Sequence, residues 1–235
     1  MKILIIDQCS GDKTYPDWAE TYGADEIDAT PLAELRTRDE TVAIRAQDLY
    51  AGRQQQYITR AIEQLESRAG DTVSRYFISA GFGLVGEDEQ LPPYNVTFND
   101  YSSAEIEERA EKLGIEERLF EVLTAEYDVV FFPLGSSYYQ TFDLSSAIET
   151  IPTETLVVCF NCESEVSDFD NAVSIPARTE QAKEQGAIVV ALKGKYIQNF
   201  AEHRAHGQTV SGIEDIEAYC VQEYATQSDF GAYEN

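Results

Sequence analysis

Residues 2–13 read Lys2-Ile3-Leu4-Ile5-Ile6-Asp7-Gln8-Cys9-Ser10-Gly11-Asp12-Lys13. The run 3–6 is apolar without alternation, so both of its faces must be buried. That is the pattern of a strand inside a parallel sheet covered on both sides. Four further short apolar runs repeat it, at 76–79, 129–134, 156–160 and 188–192. Between them lie stretches with apolar residues at helical spacing. One covers 41–68, with a break at Gly52. A second covers 103–125 and opens with the capping sequence Ser102-Ser103-Ala104-Glu105, and 177–185 and 213–224 are shorter. This alternation predicts an α/β fold in three layers: a mostly parallel central sheet of about five strands with helices on both faces. One α/β domain over residues 1–235 is expected, with 163–178, polar and acidic, as a long loop.

Lys and Arg number 17 against 43 Asp and Glu in 235 residues, a formal net charge of −26. Hydrophobic residues at 43% and aromatics at 11% are too many for an acidic disordered chain. Such a charge repels polyanions in dilute salt, which argues against a broad nucleic-acid-binding face. Molar salt shortens the screening length to ~3 Å. Dense carboxylates with only six lysines therefore read as the surface of a halophilic, archaeal, cytoplasmic protein. No apolar run is long enough to span a membrane. The first residues read as a buried strand and not as a signal peptide, so no membrane association is expected.

In open α/β sheets ligands bind beyond the carboxyl ends of the strands. The segments just after each run are therefore where a site is sought. After the first run, Cys9 is a candidate nucleophile and Lys13 its charge or acid/base partner, while Ser10 and the Gly11 amide are candidate donors to an anion. The other reading of this segment is a tight turn with Cys9 packed as a small apolar group. Ser79, Gly81 and Gly83 form a turn that backbone or ligand can approach closely, without the spacing of a dinucleotide or Walker motif. Gly135 and Ser136 suit either phosphate contact or helix capping. Asn161 and Lys193 follow the last two runs. Three of the six lysines, Lys13, Lys193 and Lys195, fall in these segments, which predicts a cationic pocket for an anionic or electron-rich ligand.

Cys9, Cys159, Cys162 and Cys220 are too few for a disulfide scaffold and read as thiols. Cys159-Phe160-Asn161-Cys162 has neither a second CxxC nor a histidine pair, so no metal is predicted. The acidic set Glu163, Glu165, Asp168 and Asp170 reads as a solvated surface. No cofactor motif is present.

Four elements together carry a family resemblance: Cys9-Ser10-x-x-Lys13, Leu49-Tyr50-x-Gly52, the run Ile78-Ser79-Ala80-Gly81-Phe82-Gly83-Leu84, and Pro93-Tyr94-Asn95-Val96-Thr97. They resemble the CSxxK, LYxG, ISAxxGL and PYxxT pattern of a family of small α/β proteins of unknown function from bacteria, archaea and their viruses. The resemblance covers the first hundred residues. The Tyr50 and Ser79 elements look like the YaaA family, and the Cys9–Lys13 run is similar to the core motif of archaeosine synthase. Gln8 stands where the latter has proline, and no histidine follows. These resemblances imply an enzyme acting on a nucleobase, nucleotide or modified nucleic acid through Cys9 and Lys13, with Tyr50 or Tyr94 stacking on a base. The other reading is a non-catalytic nucleotide- or phosphate-binding module. The expected partner is thus a small nucleotide-like ligand or a modified nucleic acid, and a homo-oligomer is compatible with either reading.

Overall fold

The computed structural model describes residues 1–224. Its strands are β1 (Lys2–Gln8), β2 (Ile44–Arg45), β3 (Thr72–Ser79), β4 (Gly83–Gly86), β5 (Gln90–Leu91), β6 (Val129–Phe131), β7 (Leu156–Phe160) and β8 (Ala172–Ile175). Six of them form one sheet in the order β4-β3-β1-β6-β7-β8, and β2 and β5 pair separately as a short antiparallel ribbon. Every contact in the large sheet is parallel except that of β4, which folds back against β3. β1 lies in register with β3 from Lys2↔Thr72 to Gln8↔Ile78, and with β6 from Ile3↔Val129 to Ile5↔Phe131.

The continuous apolar run of β1 is explained by its two faces. Ile3 and Ile5 point into a core built with Ile58 and Ala61 of the helix Arg53–Gln64, Tyr196, Ile197 and Phe200 of the helix Leu192–Ala205, and Ile216 of the helix Ile213–Val221. Leu4 and Ile6 point into the opposite core, with Ile106 of Ser103–Lys112, Leu119 and Leu123 of Ile115–Leu123, and Ile148 of Leu144–Thr150. The expected three-layer α/β architecture is what forms.

Several boundaries differ from expectation. Residues 188–192 are not a strand. Val189–Ala191 is a 3-10 turn that feeds the helix Leu192–Ala205, and Ile188 and Val190 stand 47% and 71% exposed. A short β-branched run at a helix entrance has no periodicity to set it apart from a buried strand. The expected acidic loop holds the short helix Glu163–Val166 and the edge strand β8, whose side chains are mostly half-buried and so never make an apolar run. The 103–125 stretch is two helices parted at Gly114, which takes φ +60°. The 41–68 stretch breaks at Gly52 as expected, between Ala46–Leu49 and Arg53–Gln64.

The strand order reverses direction between β1 and β6. At that point the carboxyl end of β1 is held by a buried carboxylate. Asp7 Oδ2 accepts from Arg75 of β3 at 2.6 Å, and both side chains are at most 1% exposed. Asp7 Oδ1 accepts from the Gln8 backbone N–H at 2.8 Å, Gln54 Nε2 at 2.8 Å and Gln55 Nε2 at 3.3 Å. Gln54 Nε2 also donates to the Pro133 carbonyl at 2.8 Å, just beyond β6. A buried charge stripped of its partner is costly. Arg75→Ala should therefore lower the unfolding free energy by roughly 3–5 kcal/mol, read from urea denaturation.

Candidate functional site

Beyond the ends of β1 and β3 the chain gathers a thiol, an amine and four hydroxyls. Cys9 continues β1, its N–H donating to the Ile78 carbonyl of β3 at 3.0 Å, and it is 1% exposed. Its Sγ lies 3.0 Å from the Tyr138 hydroxyl. That hydroxyl donates its one hydrogen to the Cys9 carbonyl at 3.1 Å, so the sulfur is the donor of the 3.0 Å contact.

On the β3 side, Ser79 Oγ accepts from the Gly81 N–H at 3.2 Å and the Phe82 N–H at 3.1 Å. It also lies 2.8 Å from the Tyr94 hydroxyl, which lies 2.8 Å from the Tyr50 hydroxyl. Gly81 is needed here because a Cβ would come within 2.9 Å of the Tyr94 ring. The Lys13 ammonium stands 4.3 Å above the centre of that ring, a cation–π contact. Burial lowers the pKa of Lys13, while the neighbouring Cys9 and Asp12 oppose the shift.

The loop that carries Lys13 is fastened to the segment carrying Tyr50. Thr14 N donates to the Leu49 carbonyl at 2.8 Å and Ala51 N to the Asp12 carbonyl at 3.1 Å. Ser10 Oγ bonds the Asp12 carbonyl and accepts from the Gly52 N–H at 3.3 Å. A surface hollow of about 490 Å³ borders this strap, lined in part by Asp48, Tyr50, Ala51 and Gln55.

The predicted residues thus divide. Cys9, Lys13, Tyr50, Ser79, Gly81 and Tyr94 come together. Ser10 ties the loop down through the Asp12 carbonyl and the Gly52 N–H, and Gly11 is exposed with open space around it. Gly83 takes φ +77°, where a Cβ would meet the Leu113 carbonyl at 2.9 Å, so it serves the β3–β4 turn. The Gly135 N–H is spent on Gln8 Oε1 at 2.6 Å, and Ser136 is exposed in the first turn of Ser136–Tyr139. Asn161, at φ +58°, accepts from the Ala177 N–H at 2.7 Å and closes a turn. Tyr50 and Tyr94 are each 1% exposed, so neither offers a face for stacking on a base. Their hydroxyls bond each other, and that of Tyr94 bonds Ser79.

Lys193 is at the carboxyl edge, but in a helix instead of a loop, and its charged neighbours are Asp7 and Cys162, whereas Lys13 faces Cys9 and Asp12. The two lysines therefore do not share a pocket. Lys195 pairs with Glu223 at 2.8 Å. Cys159 and Cys162 are buried beside Tyr139, and burial pushes the Cys162 thiol up to about 11. Among the described residues no group of three or more His, Cys, Asp or Glu is placed to hold a metal ion.

Sequence reasoning did not select Tyr138 or the Asp7–Arg75 pair. Tyr138 sits in the segment just after the third run, where only Gly135 and Ser136 carry a sequence signal. The Asp7 oxygens are taken up by Arg75, Gln54, Gln55 and the Gln8 backbone. No protein-family model matches the chain, and no curated protein gives a significant match.

Lys193 supplies a stability test. Burial lowers its pKa from 10.5 to about 8, against the opposing pull of Asp7 and Cys162. Between those limits the unfolded chain binds more protons than the folded one, so stability gains from Lys193 as pH rises through the window. Below about pH 8 the cost of burying the ammonium is fully present. Lys193→Met should therefore stabilise the protein near neutral pH and lose that advantage toward pH 10.5, as read from urea unfolding across the range.

Proposed function

We propose that this protein is an enzyme acting on a nucleobase, nucleotide or modified nucleic acid, with Cys9 as nucleophile and Lys13 as its acid/base partner. The observation that carries the reading is that a buried thiol bonded to Tyr138 and a desolvated amine over the Tyr94 ring lie near one another beside the reversal in strand order, where α/β sheets take their ligands. The nucleobase or nucleotide part rests on the resemblance of the Cys9–Lys13, Tyr50, Ser79 and Tyr94 elements to the families named above. The hollow of about 490 Å³ beside the strap is of a size for such a ligand.

In the proposed step the Lys13 amine takes the thiol proton, and the sulfur forms a bond to an electrophilic carbon as that carbon's π bond breaks. The proton then passes from Lys13 to the atom that received the electron pair. Lowering the amine pKa by burial favours the neutral form that this proton transfer needs.

A specific observation favours the second reading, a non-catalytic nucleotide- or phosphate-binding module. Cys9 is buried and its S–H is held by Tyr138, as a packed thiol would be. The acidic surface we assign to a halophilic, archaeal cytoplasmic setting, in which molar salt screens repulsion of an anionic ligand. Among the described residues no helix is long and apolar enough to cross a membrane.

The two readings separate in a thermal-shift screen of nucleobases, nucleosides and nucleotides in high salt, followed by mass analysis of the protein with each hit. The enzyme reading expects a ligand whose adduct maps to Cys9 and whose turnover is abolished by Cys9→Ala with the fold intact. Binding that survives Cys9→Ala unchanged, falls with Lys13→Ala and leaves no adduct or product would reject it in favour of the module.

A further inference from the structure

The Tyr138 hydroxyl touches Cys9 twice. Its oxygen lies 3.0 Å from the sulfur and 3.1 Å from the Cys9 carbonyl oxygen. It has one hydrogen to give. Beside the neutral thiol that hydrogen goes to the carbonyl, and the S–H is given to the phenol oxygen. Removing the thiol proton changes the count. The sulfur then has nothing to donate, and the 3.0 Å contact sets lone pairs against lone pairs unless the phenol hydrogen turns to the sulfur. A charged acceptor makes a hydrogen bond about twice as strong as a neutral one, so the sulfur wins that hydrogen from the carbonyl.

The surroundings leave the hydroxyl this one freedom. Gln8, the residue before Cys9, accepts from the Gly135 N–H at 2.6 Å, and the Gly135 carbonyl accepts from the Tyr138 N–H at 2.9 Å. The Phe98 ring stands edge-on to the Tyr138 ring at 5.4 Å, and Tyr138 is buried. The ring is thus held by packing and by a chain of bonds from Gln8, while the O–H can still rotate. Burial, then charge on Cys9, raises the pKa of Tyr138, and a hydrogen bond from Thr97 opposes them. The phenol keeps its hydrogen across the working range, with Thr97 donating to its oxygen.

We propose that Tyr138 is a hydrogen-bond switch for Cys9: its O–H rests on the Cys9 carbonyl while the sulfur is a thiol, and turns to the sulfur when the thiolate forms. This inference deepens the enzyme reading and rests on it. No covalent bond changes in the turn. Lys13 takes the thiol proton, and the phenol hydrogen stays on its own oxygen. The other titratable groups bearing on Cys9 are Lys13, from its own loop, and Tyr50 and Tyr94. Asp12 lies beside Lys13, Glu89 bears on Tyr50, and Asp7 on β1 is spent on Arg75 and two glutamines.

The test is the pH profile of Cys9 alkylation by iodoacetamide from about pH 5 to about pH 11, located by peptide mass mapping because Cys159, Cys162 and Cys220 are also free thiols. Cys9→Ala is the blank. Tyr138→Phe keeps the ring and removes the O–H. It should move the midpoint of the profile up by about one pH unit and slow alkylation near neutrality about tenfold, the size of one charge-assisted hydrogen bond. A packing role would scale the rate at every pH and leave the midpoint in place, and that result overturns the proposal. If Tyr138→Phe does not fold, 3-fluorotyrosine at position 138 supplies a more acidic, stronger donor of nearly the same shape. Its midpoint should move down, and an unmoved one overturns the proposal equally. A wild-type rate still climbing at the alkaline limit overturns it too. Wild-type Cys9 that resists alkylation throughout removes the enzyme reading and this inference with it, whereas an unmoved midpoint in a Cys9 that reacts removes this inference only.

Discussion

The carboxylate of Asp7 is the constraint from which the architecture around the site follows. A bare carboxylate cannot be buried at the end of a central strand, so the chain must bring donors to it from wherever they can be supplied. Arg75 comes from β3, Gln54 and Gln55 come from the first turn of the helix Arg53–Gln64, and Gln54 extends the connection to Pro133 beyond β6. Three adjacent strands and one helix are thereby fixed relative to one another at the carboxyl edge. Cys9 is two residues further along β1. Its placement against the Ile78 carbonyl and under Tyr138 inherits the precision of that junction.

The polar cluster beyond it is made mostly of hydroxyls on aromatic rings. The rings of Tyr50 and Phe77 stand 4.9 Å apart, and those of Tyr94 and Phe82 stand 5.1 Å apart. The phenols are thus set by packing and not by flexible side chains. The hydroxyls lie in a low-dielectric interior where a correctly aimed dipole counts for far more than in water. The single amine, Lys13, lies over the π face of Tyr94, with Asp12 as its neighbouring carboxylate.

How much of this was legible in the residues depends on the range of the interaction concerned. Ile3–Ile6 announced a doubly covered strand because burial on both faces leaves a direct mark on composition. Cys9, Lys13, Ser79 and Gly81 stood out because reactive or small residues directly followed apolar runs. The strand β8 was hidden because an edge strand with half-buried side chains has no apolar signature, and 188–192 misled because its β-branched run belongs to a helix entrance. Tyr138 and Arg75 were invisible for another reason. Their partners lie 129 and 68 residues away, and nothing local distinguishes a tyrosine that bonds a thiol from one that fills space.

The strap between residues 12–14 and 49–51 has a kinetic meaning. With main-chain hydrogen bonds across it at 2.8 and 3.1 Å, it joins the two segments as a short stretch of sheet would. Cys9 is 1% exposed, so any reagent that reaches its sulfur needs a local opening of the structure around it. The frequency of that opening sets an upper limit on how fast the thiol can be met.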